Sequence, residues 1–524
     1  MCEILTCYNL RRAATRRRYQ WLARRARVDG SCPIAQHVGE NPEVRNRVTK
    51  FGPGRDMATF FIEQFGCRAT QADAAAIERQ LLARGYAASA DANSADIVVV
   101  NTCTVTAAAD LQARQCIRTI HRENPAARVI VTGCYAQRAP DELAALDGVS
   151  WVVGNSHKPE IPRLIHKMEL ETRKRVANGS SSSTVQGFVP VSMIAGETLS
   201  LGNGPAKILI GDILKQHELL VAPVEGGEAG HTRPVLKIQD GCNKRCSYCV
   251  IPQVRGRSRS LAPHAVIEEI RKLCERGARE VVLSGIDLGN YGRDLAPHAV
   301  LGELLRRILA ETAIERLRVS SVEPMDITED LIAIFTASER MARHVHMPLQ
   351  SGSDRILAAM HRWYRAEHYA RRAELAREGL RDAAIGADVI AGFPGETEAD
   401  HQATLSLIDR LPLTYLHVFS FSSRPGTSAA DLRNQVSDQV IARRARELRA
   451  LAEKKKSAFQ AAQTGRTMRV LTLNRSGHDA SGPWTRALSS NYLDARVSGV
   501  WPANQFLDVG ITGVRDGQLT GVVA

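Results

Sequence analysis

The chain has 524 residues, 44% of them hydrophobic, and a net charge of +13; one hydrophobic core rarely organises that length, so two to four domains are expected. It contains no run of about 20 apolar residues and no apolar signal segment, which argues against a membrane partner and against secretion. The 11 cysteines are therefore expected to be reduced, and open to metals, in a cytoplasmic protein.

Residues 1–56 hold twelve Lys and Arg against five Asp and Glu, and so supply seven of the thirteen net positive charges. This arm contains Arg16-Arg17-Arg18 and Arg24-Arg25, shows no β or helix-sheet pattern, and carries Cys2, Cys7 and Cys32 without metal-ligand spacing. It resembles a transit peptide in being arginine-rich and acid-poor, but the preferred reading is a non-native extension ahead of a start at Met57. The rest of the chain is only modestly basic, which suits an RNA-facing protein and a solvated surface of mixed charge equally.

From 57 to 167 strand-like runs alternate with helical patterns: Thr59 to Phe65, Gln71 to Arg84, Ile97 to Asn101, Asp110 to Glu123 and Arg128 to Thr132. That order predicts a parallel α/β domain. Cys67, Cys103 and Cys134 each follow a strand, and neighbouring parallel strands end at one edge, so three thiols are expected to meet there. The alternative is three unrelated buried cysteines acting as small hydrophobes. Cys116 and Cys274 fall on helices and read as core fillers.

Residues 168–233, with Ser180 to Ser183 and several glycines, read as a linker holding a β-hairpin at most. Between 234 and 462 six strand candidates follow: Leu236 to Gln239, Glu280 to Leu283, Arg316 to Ser320, His344 to Met347, Ile385 to Ile390 and Leu416 to Phe419. They predict a partial (βα)6 barrel whose site lies where the strands end. A basic helical stretch, Arg443 to Lys456, leads into 463–524, where short alternating runs broken by Gly and Asn predict a small β-barrel. Lys454-Lys455-Lys456 reads as a solvated helix face rather than a phosphate contact.

The most informative segment is Gly241-Cys242-Asn243-Lys244-Arg245-Cys246-Ser247-Tyr248-Cys249. Three thiolates in so short a loop form a cradle for an iron-sulfur cluster in which one of four irons lacks a protein ligand. A zinc knuckle would need a fourth ligand, and the nearest histidines in sequence are His231 and His264. Cys-x-x-x-Cys-x-aromatic-Cys resembles the signature of the radical S-adenosylmethionine enzymes. The resemblance implies that the open iron chelates the cofactor's methionine moiety, that the cluster delivers the electron cleaving its sulfonium, and that Tyr248 lies against the adenine.

Phe65-Gly66-Cys67-Arg68, Val100 to Thr106 with Cys103, and Val131 to Arg138 with Cys134 resemble the amino-terminal domain of the methylthiotransferases. With the central motif this likeness covers nearly everything from Met57 onward. It implies two [4Fe-4S] clusters, S-adenosyl-L-methionine as cofactor, and a fold of parallel α/β domain, radical S-adenosylmethionine partial barrel and TRAM-like RNA-binding β-barrel. It also implies that Ser284 and Gly285, Ser321 and Glu323, Gln350, and the turn Gly392, Pro394 and Gly395 face the cofactor. Glu323 is the leading ribose partner, set against a structural salt bridge; a glycine-rich turn alone is weak evidence.

Ile238 to Asn243 followed by Val254-Arg255-Gly256-Arg257-Ser258-Arg259-Ser260 resembles the branch acting on N6-threonylcarbamoyladenosine at position 37 of tRNA, and implies its 2-methylthio derivative as product. Two other branches, acting on isopentenyladenosine tRNA or on a ribosomal-protein aspartate, remain open. So does a non-catalytic iron-sulfur RNA-binding or redox-sensing protein. The resemblance further implies tRNA as partner and an electron donor of flavodoxin or ferredoxin type; the sulfur source is unknown, and no general acid or base is assignable.

Overall fold

A parallel sheet opens the computed structural model, which describes residues 58–177, 199–201, 206–216, 219–224 and 232–524. The arginine-rich arm with Cys2, Cys7 and Cys32, the Ser180 to Ser183 run and His231 lie outside the described residues. Strands β1 (Thr59–Gln64), β2 (Ile97–Thr102), β3 (Arg128–Gly133), β4 (Val149–Val153) and β5 (Lys207–Leu209) are neighbours in that order, all parallel. β2 is buried at every position, as a central parallel strand covered on both faces must be. Helices α1 (Arg68–Ala83) and α2 (Ala107–Glu123) form the first two crossovers.

Within the expected linker 168–233 the β-hairpin is present, and the structure adds a helix at its start and a place for the hairpin in the sheet. A helix continues to Ala177, and Leu199–Leu201 pairs antiparallel with β5, which itself adds to β4. The hairpin thus completes the amino-terminal sheet, because β4 would otherwise leave a row of unpaired backbone groups at an edge.

Six further strands, β6 (Val235–Lys237), β7 (Glu280–Ser284), β8 (Arg316–Val319), β9 (His344–His346), β10 (Ala384–Ala391) and β11 (Tyr415–Ser420), form two parallel three-stranded sheets. Parallel bridges Leu317 to Met341 and Ser321 to His346 join them into one partial barrel. Val281, Leu283, Leu317, Val345, Ala387, Val389 and Val418 pack outward against helices through one apolar cluster. By strand alternation, His344, His346, Gly386, Asp388, Tyr415 and His417 face the barrel interior. The long helix α3 (Asp438–Ala461) then leads to β12 (Thr467–Asp479), β13 (Gly482–Ser489), β14 (Asp494–Ser498), β15 (Phe506–Arg515) and β16 (Gln518–Val523), a closed barrel in the order β12-β13-β14-β16-β15. Among the described residues no helix is long and apolar enough to cross a membrane.

Candidate metal centre

The first cysteine loop is held open by its own backbone. Gly241 adopts φ +75°, and a Cβ there would overlap the Arg257 carbonyl, so this turn accepts only glycine. The Cys242 amide donates to the Gly256 carbonyl (3.1 Å) and the Cys249 amide to that of Cys246 (3.1 Å). Ser247 anchors the middle of the loop through its amide to the Met360 carbonyl (3.0 Å) and its hydroxyl to that of Ala359 (2.8 Å). Burial pushes the Cys249 thiol up to about 12. Burial, with Asp287 alongside, does the same to Cys242. Such thiols lose their protons when a metal takes them as ligands.

The loops that follow β6, β7 and β8 converge on this turn. Gln239 is buried and accepts from the amides of Ile286 and Asp287 (2.8 Å each) while donating to the Gly241 carbonyl (2.8 Å), tying the Ser284-Gly285 loop to the cysteine loop. Asp287 pairs with Lys244 (2.9 Å). Glu323 pairs with Arg362 and, at 3.8 Å, with Lys244; Arg362 also donates to Cys246 Sγ (3.4 Å). The Glu323 carboxylate is therefore already engaged in the salt bridge weighed against its ribose role. Ser321 sits one strand over, bridged to His346. Tyr248 packs edge-on to Phe393 (6.5 Å between centroids), which places the aromatic of the first motif against the Gly392, Pro394 and Gly395 turn. Gly392 and Gly395 both have positive φ. Glu396 accepts from the Gly392 amide (2.8 Å) and is gripped by Arg444 of α3 (2.8 Å). Gln350, itself at φ 66°, donates its amide to the Asp388 carbonyl (2.8 Å).

The second set of cysteines gathers at the sheet edge. Cys67 caps α1, while Cys103 and Cys134 directly follow β2 and β3. Gly66, at φ +95°, leaves no room for a Cβ beside Cys103, whose Sγ would be 2.7 Å from it. Burial, then the neighbouring Cys67 and Cys134, pushes the Cys103 thiol far up. Asn155 Nδ2 lies 3.6 Å from Cys134 Sγ and donates to the Val254 carbonyl at 2.7 Å. Cys134 packs against Val250 and Val254, just past the first cysteine loop. Cys116 and Cys274 pack on the two cores, as read from the sequence.

The spacing of the sulfurs bears on the metal. Among the described residues, the set of three His, Cys, Asp or Glu ligand atoms lying within 4.8 Å of one another is His346, Asp388 and His417. Neither cysteine triad is that tight, whereas a tetrahedral zinc with bonds of about 2.3 Å draws its sulfurs to about 3.8 Å. Both triads are wider than a tetrahedral zinc site.

A family model described as "Uncharacterized protein family UPF0004" matches residues 59–154, and the Radical SAM superfamily model matches 236–408. The chain is 34% identical over 441 residues to the threonylcarbamoyladenosine tRNA methylthiotransferase MtaB of Aquifex aeolicus, covering 83% of this chain and 96% of the relative. It is also 35% identical to the Bacillus subtilis MtaB (76% and 81% covered), and 34% identical to the tRNA-2-methylthio-N(6)-dimethylallyladenosine synthase of Syntrophobacter fumaroxidans (78% and 84%). The chain belongs to the radical S-adenosylmethionine methylthiotransferase family. The fold agrees with a solved radical S-adenosylmethionine methyltransferase, TsrM of Kitasatospora setae with cobalamin and a [4Fe-4S] cluster bound, at a TM-score of 0.50 and 17% identity over 71% of this chain and 74% of that one. Like its family, this methylthiotransferase uses S-adenosylmethionine and [4Fe-4S] clusters.

Two features of the methylthiotransferase escaped the sequence reading. One is the inward layer of Asp388 between His346 (3.3 Å) and His417 (3.1 Å). Burial works to raise the Asp388 carboxyl, but the two histidines outweigh it and hold it well below the usual range. Reading alternate strand positions opposite Val345, Val389 and Val418 would have found it. The other is a buried ion cluster between the amino-terminal sheet and the partial barrel, built from Asp73, Lys158, Lys237, Asp240 and Arg255.

Proposed function

We propose that this enzyme adds a methylthio group to C2 of N6-threonylcarbamoyladenosine at position 37 of tRNA, with Cys242, Cys246 and Cys249 holding one [4Fe-4S] cluster and Cys67, Cys103 and Cys134 the other. What supports the substrate branch is the identity to three MtaB relatives, 33 to 35%, against 31 to 34% for the dimethylallyl-type relatives, together with the polar inward layer of His346, Asp388 and His417. When bound, the cluster on the Cys242 loop supplies the electron that cleaves S-adenosylmethionine and the cluster at the sheet edge supplies the sulfur-bearing iron.

The chain's own residues position and shield these species. Tyr248 and Phe393 offer apolar surface to an adenine. Gln350 and the Gly392, Pro394 and Gly395 turn present backbone to the cofactor's ribose and methionine ends, with Ser284, Gly285, Ser321 and Glu323 lining the adjoining strand ends. The inward His346, Asp388 and His417 layer gives the chamber hydrogen-bonding groups that suit the amide, hydroxyl and carboxylate of a threonylcarbamoyl substituent. An isopentenyl group offers no hydrogen-bond partner to these groups, and the absence of a polar contact of that kind discriminates between substrates. The carboxyl-terminal barrel is the tRNA-binding module of this reading, and a flavodoxin or ferredoxin in the cytoplasm supplies electrons.

The test is anaerobic turnover by the reduced enzyme of tRNA bearing either modification, read by nucleoside mass spectrometry. Methylthiolation of threonylcarbamoyladenosine is expected, with little on isopentenyladenosine. Comparable rates on both would overturn the substrate assignment.

A further inference from the structure

Arg255 sits on the short helix Ile251–Arg255 that follows the first cysteine loop, and is buried to 2% exposure. Nη1 is shared by both carboxylate oxygens of Asp240 (2.9 Å each), and Nη2 donates to Asp73 of α1 (3.1 Å). Its Nε is buried and has no partner in the protein. A buried charged donor left unspent is costly, so its position calls for an acceptor. The thiols of Cys134 and Cys67 lie within electrostatic reach of the guanidinium. Asn155 fixes the register by touching both Cys134 Sγ and the carbonyl of Val254, the residue before Arg255.

Charge counting points the same way. The ion cluster contains two carboxylates, Asp73 and Asp240, against three cations, Lys158, Lys237 and Arg255. All five are nearly inaccessible to water, and Arg259 adds a further cation at 3.9 Å from Asp240. Burial depresses the Lys158 ammonium, yet Lys237, Arg255 and Arg259 alone outnumber the two carboxylates, so one buried positive charge is uncompensated, and a burden of that kind is sustained only beside an anion. Three thiolates on a dicationic [4Fe-4S] core leave one negative charge overall, and two after one-electron reduction.

We propose that Arg255, carried by the domain of the first cysteine loop, is a positioning residue for the cluster held by Cys67, Cys103 and Cys134, donating its Nε–H to a sulfur there and raising that cluster's reduction potential. This rests on the assignment of the second cysteine set to a cluster. The consequence is a physical link between the two centres. The loop that holds one triad also carries the cation that stabilises the reduced form of the other.

The experiment uses the full chain with Cys242→Ala, Cys246→Ala and Cys249→Ala, so that one cluster remains, reconstituted anaerobically. Iron per chain is counted, and the midpoint potential is read by a mediated redox titration followed by electron paramagnetic resonance. Arg255→Lys keeps a charge for the two aspartates but lacks the Nε donor; Arg255→Gln removes both. The potential is expected to fall in Arg255→Lys and further in Arg255→Gln, with iron content unchanged and the exposed control Arg271→Gln unshifted. If Arg255→Gln does not fold, Arg255→Lys alone decides. An unchanged potential would overturn the proposal, as when a water in the small cavity beside Arg255 satisfies Nε instead. Absence of iron from the parent triple variant would overturn both the proposal and the cluster assignment beneath it.

Discussion

Glu280 should control how firmly the carboxyl-terminal barrel is held. It opens β7, is fully buried, and accepts from Arg318 Nε (2.9 Å), Arg233 (3.3 Å) and Arg316 (3.4 Å). Arg316 and Arg318 in turn donate to the barrel carbonyls of Arg469 (2.9 Å), Ser489 (3.1 Å) and Ser490 (3.0 Å), and stack over Phe506 and Tyr492. Burial would raise the Glu280 carboxyl, but the three guanidiniums outweigh it and hold it at about 2, against 4.5 for a free glutamate. Because the folded-state value is the lower one, this stabilisation is complete above about pH 4.5 and is lost as pH falls toward 2. A difference of that size corresponds to about 3 kcal/mol, similar to the cost of removing one partner from a buried pair. Glu280→Gln keeps the shape and removes the charge. Hydrogen exchange of peptides covering β8 and Ser489 to Leu493 should then show opening raised by roughly two orders of magnitude at neutral pH. A change below about threefold would refute the electrostatic account of this junction.

Cys246→Ala and Cys103→Ala should each lower the iron count of the reconstituted protein by one cluster's worth; removal of all iron by either would show that the triads do not act as two sites. Gly241→Ala places a Cβ against the Arg257 carbonyl at a positive φ, so the Cys242 loop should lose its cluster while the second remains, which absorbance and iron analysis would detect. Asp388→Asn weakens the anchor for His346 and His417; kcat/KM on threonylcarbamoyladenosine tRNA should drop on the order of tenfold, and an unchanged value would remove this layer from substrate recognition.

What was legible in the sequence was local or periodic. The three cysteines of the central loop lie within eight residues, and the other three could be placed together because each follows a strand whose hydrophobic run is plain. β5 was anticipated only as an arm of a hairpin within a linker, not as a strand of the sheet: three residues, Lys207 to Leu209, in a glycine-rich stretch have no pattern of their own and join the sheet only by pairing with β4. Glu323 shows a different limit. Its place after β8 was readable, but its choice of partner depends on Arg362, 39 positions later.

The ion cluster was the least legible feature. Asp73 and Arg255 are 182 residues apart, and each looks like an ordinary surface residue of its own segment. Only the docking of α1 onto β6 and the cysteine loop buries them. That docking would be hard to rationalise as stabilisation, since desolvating five charges roughly cancels their attraction and apolar side chains of similar volume would pack as well. The arrangement makes physical sense if the sum of charges is not meant to vanish within the protein. An excess cation beside these three sulfurs, of which burial and its two neighbours push the Cys103 thiol up in the absence of metal, favours an anionic cluster over the empty site, and it does so through the same residue that ties the two cysteine sites into one unit.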